Sequence, residues 1–250
     1  MTQPLVSFPG GLKLASRKKR STQIPIGKIP MSNTLVLPLQ QNIGEAAKPC
    51  VKVGDKVLKG QKIAEANGHI SVGLHASSSG TITAIGEHPV PHPSGLSAPC
   101  IAIATDGEDR WINRRVITDL SQISSHDLCE LIRDAGIVGL GGAGFPSFIK
   151  LNPRVHHDID TLILNGAECE PYITCDDMIM RERAHGVMDG IEVMQQALNV
   201  KDSVIVIEED KPEALSAMRT ALSSHRHLRD NTRVVVIPTR YPTGSEKAAD

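Results

Sequence analysis

Val204-Ile205-Val206-Ile207 is an unbroken run of β-branched residues, followed at once by Glu208-Glu209-Asp210. A run without polar alternation fits a strand covered on both faces, as parallel sheets require. Two similar runs flank it, Thr161-Leu162-Ile163-Leu164 and Val234-Val235-Val236-Ile237. Helical spacing fills the gaps: Val187, Ile191, Met194 and Leu198 share one face in the first, and Ala214, Leu215, Met218, Ala221 and Leu222 share one in the second. Strands alternating with helices predict a parallel, three-layer α/β/α unit with right-handed crossovers.

Ligands of open parallel sheets bind beyond the carboxyl ends of the strands, and the residues there are polar. The first run leads into Asn165-Gly166-Ala167-Glu168-Cys169-Glu170-Pro171-Tyr172, the third into Pro238-Thr239-Arg240-Tyr241-Pro242-Thr243-Gly244-Ser245-Glu246-Lys247. Amides and carboxylates can bond a ribityl chain or ring nitrogens, and Tyr241 can stack. Glu208 to Asp210 has a plainer reading as the cap of a helix whose first residue is Pro212.

Upstream, Val138-Gly139-Leu140-Gly141-Gly142-Ala143-Gly144-Phe145-Pro146 sets four glycines in six residues. Such a backbone can approach a ligand closely, and its amides can converge on an anion. A helix starting near Pro146, with Lys150 one turn in, adds to a phosphate cradle, although a structural turn explains the same glycines. The spacing is neither the Walker loop nor G-x-G-x-x-G. The loop is reached by a helix that Ser124 and Asp127 cap, with Leu128, Leu131, Ile132 and Ala135 on one face and Gly136 as its stop.

From 33 to 106 the pattern is short β runs between turns. Cys50-Val51-Lys52-Val53-Gly54-Asp55-Lys56-Val57-Leu58-Lys59-Gly60-Gln61 and His75-Ala76-Ser77-Ser78-Ser79-Gly80-Thr81-Ile82 resemble the two halves of the barrel-sandwich in lipoyl and biotinyl carrier domains. A carrier needs a lysine at the hairpin tip, whereas this tip reads Ala66-Asn67-Gly68-His69-Ile70-Ser71-Val72-Gly73. A non-carrying barrel is expected, with His69 and His75 as loop and turn residues. Residues 1–32, including Arg17-Lys18-Lys19-Arg20, read as an extended arm with a solvated basic run.

Net charge is −1, which gives no general basic footprint for nucleic acid. No apolar run reaches the ~18 residues of a membrane span, and the first residues lack the order of a secretory signal. Five scattered cysteines suit a reducing compartment better than a disulfide framework.

Taken together, Gly139 to Pro146, Asn165 to Tyr172 and Tyr241 to Lys247, after a carrier-like barrel, resemble the RnfC family, a component of the Rnf ion-translocating electron-transport complex. The α/β part is also similar to the flavin-binding subunit of respiratory complex I, departing from its pattern at Leu140 and Ala167. The resemblance implies three segments: an arm at 1–32, a barrel-sandwich at 33–106 and a Rossmann-like FMN- and NADH-binding domain at 107–250. It implies Gly141, Gly142, Gly144, Phe145 and Lys150 at the flavin phosphate, and Asn165, Glu168 and Glu170 at flavin and nicotinamide. Tyr241, Gly244 and Glu246 close the other side. Implied partners are the other subunits of the Rnf membrane complex, with ferredoxin or NADH as redox partner, on the cytoplasmic side of the inner membrane. The family's two 4Fe-4S clusters need C-x-x-C-x-x-C runs, and this sequence has none.

Overall fold

The computed structural model describes residues 10–114, 116–152 and 159–245. Packing divides the chain into two compact units, one of residues 29–156, the other of residues 1–28 with 157–250.

The first unit is built on seven short strands: β1 (Thr34–Pro38), β2 (Lys48–Pro49), β3 (Lys56–Val57), β4 (Lys62–Glu65), β5 (Leu74–His75), β6 (Gly80–Pro89) and β7 (Ser97–Thr105). They form an antiparallel sheet β1-β7-β6-β3 and a second sheet β2-β4-β5. Leu37, Val57, Ile82, Ile101 and Ile103 from the first sheet share one core with Ile63, Ala64 and Leu74 from the second. This is the expected all-β sandwich. Its hairpin tip between β4 and β5 folds back onto the unit: buried Ser71 donates to the Glu45 carbonyl at 3.1 Å and accepts from Asn67 N at 3.0 Å. His75 lies in β5 instead of a turn, and burial, then the Lys62 charge, pushes its imidazole below the ordinary range.

Residues beyond the barrel pack with it. Helix α1 (Ser125–Asp134) begins as expected, with the Ser124 hydroxyl accepting from Asp127 N at 3.1 Å, and it buries Leu128, Cys129 and Ile132. Asp134 at its end pairs with Lys62 of β4 at 2.7 Å. Gly136 then has φ +70, and a Cβ there would lie 2.7 Å from the Gly73 carbonyl oxygen. The stretch 107–250, expected as one domain, is therefore shared between the units.

The second unit is α/β. Its strands β8 (Thr161–Gly166), β9 (Asp202–Glu208) and β10 (Thr232–Ile237) are all parallel, in the order β10-β9-β8. Helices α3 (Cys175–Glu182) and α4 (Ala184–Leu198) join the first pair, and α5 (Pro212–Ser224) joins the second. The one-turn α2 (Ser147–Lys150) belongs to the barrel unit. Because the strands follow chain order, successive right-handed crossovers set every helix on the same side. Met180, Met188, Ile191, Ala214 and Met218 from the three helices accordingly share one core with Ile205 and Ile207. The expected three layers are two among the described residues of this unit. Ile163, on the opposite face, is half-exposed, so its run is not covered on both sides.

On α4 the buried face is Ala184, Met188, Ile191 and Gln195, rotated from the expected Val187, Met194 and Leu198. Gln195 is tolerated there because it donates to the Lys201 carbonyl at 2.7 Å and the Ser203 hydroxyl at 2.8 Å. No described helix qualifies as a membrane span.

Candidate functional site

In the barrel unit, the glycine stretch closes into a compact loop. Val138 bridges Pro146, Gly139 N donates to the Phe145 carbonyl at 2.8 Å and Ser147 N to the Ile137 carbonyl at 3.0 Å. The glycines divide by role. Gly144, at φ +59, lies where a Cβ would come within 3.0 Å of Gln41 O and Asn42 Cα, so it is required by packing. Gly141 and Gly142 face open space, and Gly142 has φ +112, a conformation that side chains resist.

Between them these residues leave a row of donors: among the described residues, the N–H groups of Gly141, Gly142, Ala143 and Gly144 have no protein acceptor. Consecutive free amides can bind an anion where the backbone turns them together. Lys150 is exposed, and its ammonium lies 5.8 Å from the Phe145 ring centroid, back along the loop. Helix α2 is a single turn, so the amides and Lys150, and not a helix dipole, supply the positive character.

The strand-end residues lie in the α/β unit. Asn165, the last polar side chain of β8, donates to the Gly244 carbonyl at 2.8 Å and accepts from Ala167 N at 3.1 Å, joining the loop after β8 to the loop after β10. Gly244 is packed against that junction, where a Cβ would sit 2.5 Å from the Ala167 oxygen. Tyr241 keeps a 40% exposed side chain while its backbone pairs both ways with Leu12, at 2.8 and 2.9 Å. Glu246 lies outside the described residues.

Glu168 is only 4% exposed. One carboxylate oxygen accepts from the Cys175 thiol at 3.1 Å and Asp176 N at 3.0 Å, at the start of α3. The other is a buried atom without a hydrogen-bond partner, with the Lys18 ammonium 3.8 Å away. Glu170 is exposed, and its carbonyl accepts from Lys18 at 3.0 Å. Lys18 is thus a correction to the solvated basic run: Arg17, Lys19 and Arg20 are exposed, but Lys18 is 6% exposed.

Beneath Glu168 lies a buried ion pair. Glu208 accepts from Glu168 N at 3.1 Å and from Lys211, which also reaches Asp210 at 2.9 Å; Glu208 and Lys211 are both fully buried. Glu208 is therefore a core residue and does not cap α5. Burial raises its carboxyl above the usual range; burial opposes the Lys211 charge, but Glu208 and Asp210 outweigh it and hold the ammonium high. Glu168 likewise raises the Cys175 thiol, and burial with the Glu168 charge raises Asp176.

Glu168, Cys175 and Asp176 bring ligand atoms within 4.8 Å of one another. A thiol held protonated and an ammonium beside the carboxylate both work against a cation there. Lys18, Cys175 and Lys211 are not legible in the sequence as site residues; only the Glu208 to Lys211 spacing of three gives a local signal.

Two family models match the chain. Residues 6–108 match the RnfC barrel sandwich hybrid domain, and residues 132–249 match the Nuo51 FMN-binding domain. The C subunit of the ion-translocating oxidoreductase complex of Pseudomonas aeruginosa is 50% identical over 97% of this chain, and that of Rhodobacter capsulatus 46% over 98%. The chain spans 31% and 47% of those relatives' lengths. A NAD+-reducing [NiFe]-hydrogenase is similar at 19% identity with a TM-score of 0.41, covering 50% of this chain and 23% of its own, a likeness that carries no argument. With both domain models matched in order and half of its residues shared with a curated relative along nearly the whole of this chain, the chain is similar throughout to the RnfC family.

Proposed function

We propose that this chain is the flavin-binding part of the RnfC component in an ion-translocating oxidoreductase complex of the ferredoxin:NAD type. The observation that carries the reading is the row of free amides from Gly141 to Gly144, inside the stretch matched by an FMN-binding domain model. The residues fit a phosphate monoester: four donors, no Cβ at Gly141 or Gly142, and a lysine nearby. In this proposal Gly141, Gly142, Gly144, Phe145 and Lys150 hold the phosphate end of FMN. Asn165, Glu168, Glu170, Tyr241, Gly244 and Glu246 serve the flavin ring and the nicotinamide.

When bound, FMN accepts a hydride from a nicotinamide and passes electrons on one at a time. The chain's own residues bind and orient. The loop amides neutralise phosphate charge, Asn165 fixes two strand-end loops against each other, and buried Glu168 sets the backbone of the loop that carries Glu170. Placement on the cytoplasmic face of the inner membrane, with ferredoxin or NADH and the other Rnf subunits as partners, belongs to the same proposal.

The test is titration of the purified chain with FMN, followed by quenching of flavin fluorescence. Gly141→Ala adds one methyl into open space, so it is expected to keep the melting temperature and weaken FMN binding. Gly142→Val adds strain to obstruction and is expected to abolish binding. Equal affinity in the wild type and both variants would sink the placement at this loop.

A further inference from the structure

We propose that Lys18 is a positioning residue for the loop that follows β8, and that the arm around it is a strap fastening that loop in its ligand-binding shape. This rests on the flavin reading for its functional half, while its structural half stands alone.

Lys18 directs its ammonium at this loop. An ammonium has three donors, and two are given to the carbonyls of Glu170, at 3.0 Å, and Ile173, at 2.5 Å, while the buried oxygen of Glu168 lies at 3.8 Å. Neighbouring residues repeat the attachment. Tyr172 N donates to the Ser16 carbonyl at 2.9 Å, and the Ser21 hydroxyl donates to the Tyr172 carbonyl at 2.5 Å. Residues 16–21 thus grip the loop on both sides of Tyr172, whose own φ of +67 lies in the left-handed region that side chains seldom adopt.

The strap continues at both ends. Leu12 pairs with Tyr241, Arg240 donates to the Gly10 carbonyl at 3.3 Å, and Ile26 N donates to Glu182 at the end of α3. One short segment therefore touches the loop after β8, the loop after β10 and α3. A lysine, and not an apolar residue, suits the centre of this contact because the loop turns carbonyls and a carboxylate inward, and only a charged donor satisfies them together.

Hydrogen exchange without added cofactor is the first readout. The amides of Tyr172, bonded to Ser16, and Asp176, bonded to Glu168, are the reporters. Lys18→Met keeps the apolar stem and removes the charge, and is expected to speed exchange at these amides about tenfold while β9 is unchanged. Ser21→Ala, at an exposed polar contact, should give a smaller increase at Tyr172 without risk to folding. Unchanged exchange in both variants, or equal acceleration throughout the unit, overturns the strap. FMN titration is the second readout: affinity should fall about tenfold in Lys18→Met and recover in Lys18→Arg, which retains the charge. Equal affinity in the wild type and Lys18→Met, or no recovery in Lys18→Arg, overturns the positioning role. A wild type that binds no FMN defeats the flavin reading, and the exchange rates then decide the strap by themselves.

Discussion

Glu208 and Lys211 show how much one buried pair decides. Neither side chain meets solvent, so removing one partner strands the other's charge in a low-dielectric interior. Lys211→Met is expected to cost about 3–5 kcal/mol of stability in the α/β unit. The double change Glu208→Gln with Lys211→Met should cost less than the single one, since a glutamine oxygen can still accept from Glu168 N. Denaturant titration of the wild type, Lys211→Met, Glu208→Gln and the double variant checks the order; a double variant as unstable as the sum of the two single changes would show that the pair is not coupled. In the barrel unit, Asp106 gives a pH signature. Bonds from the Ser79 hydroxyl, then Glu108 N and Arg110, lower its carboxyl from 3.8 to about 2. A depressed folded value stabilises above the unfolded one, so the contribution is complete above pH 3.8 and is lost as pH falls through about 2. Asp106→Asn should therefore lose less stability than the wild type across that acid range, as followed by acid unfolding.

The elements are legible in the sequence to different degrees, and the reasons are physical. Strands β8, β9 and β10 announce themselves because short unbroken apolar runs of that length fit a buried strand, and the barrel does so because turn residues recur at hairpin spacing. Helix α3 has no such signal: its core contacts, Asp177, Met178 and Met180, surround a bidentate Arg181–Asp177 pair at 2.7 Å that no apolar periodicity marks. The rotation of α4 is hidden for the same reason, since buried Gln195 looks polar until its two partners are known. The glycine loop can be found from sequence, but not the division of labour within it, because Gly144 answers to Gln41 and Asn42, far earlier in the chain. Lys18 is beyond reach from sequence, its partners being 152 and 155 residues away. Packing at the helix–sheet layer offers a direct check. Met218 is fully buried on α5 among Ile205, Ile207 and Met188, and Met218→Ala is expected to destabilise the α/β unit by about 2–5 kcal/mol. Exchange protection in β9 should fall while protection in β7 of the other unit is retained.

For the whole molecule, the cysteines set a limit on electron transfer. Cys50, Cys100 and Cys129 belong to one compact unit and Cys169 and Cys175 to the other. A 4Fe-4S cluster takes four thiolates, and neither unit holds four. This chain, reconstituted anaerobically with iron and sulfide and then reduced, is expected to give no stoichiometric cluster signal in low-temperature electron paramagnetic resonance.

The strap also makes the α/β unit discontinuous in the chain. Residues up to 28 and from 157 onward are one unit, and the sandwich is an insert between them. During vectorial synthesis the insert can bury its core while none of β8, β9 and β10 has yet left the ribosome. Lys18 emerges ahead of them all and waits for a first acceptor translated 152 positions later. Two halves of one hydrogen-bonded junction are thus made far apart in time, and the order in which the units mature is written into the connectivity: sandwich first, α/β unit after it, with the strap closing only once both of its loops exist.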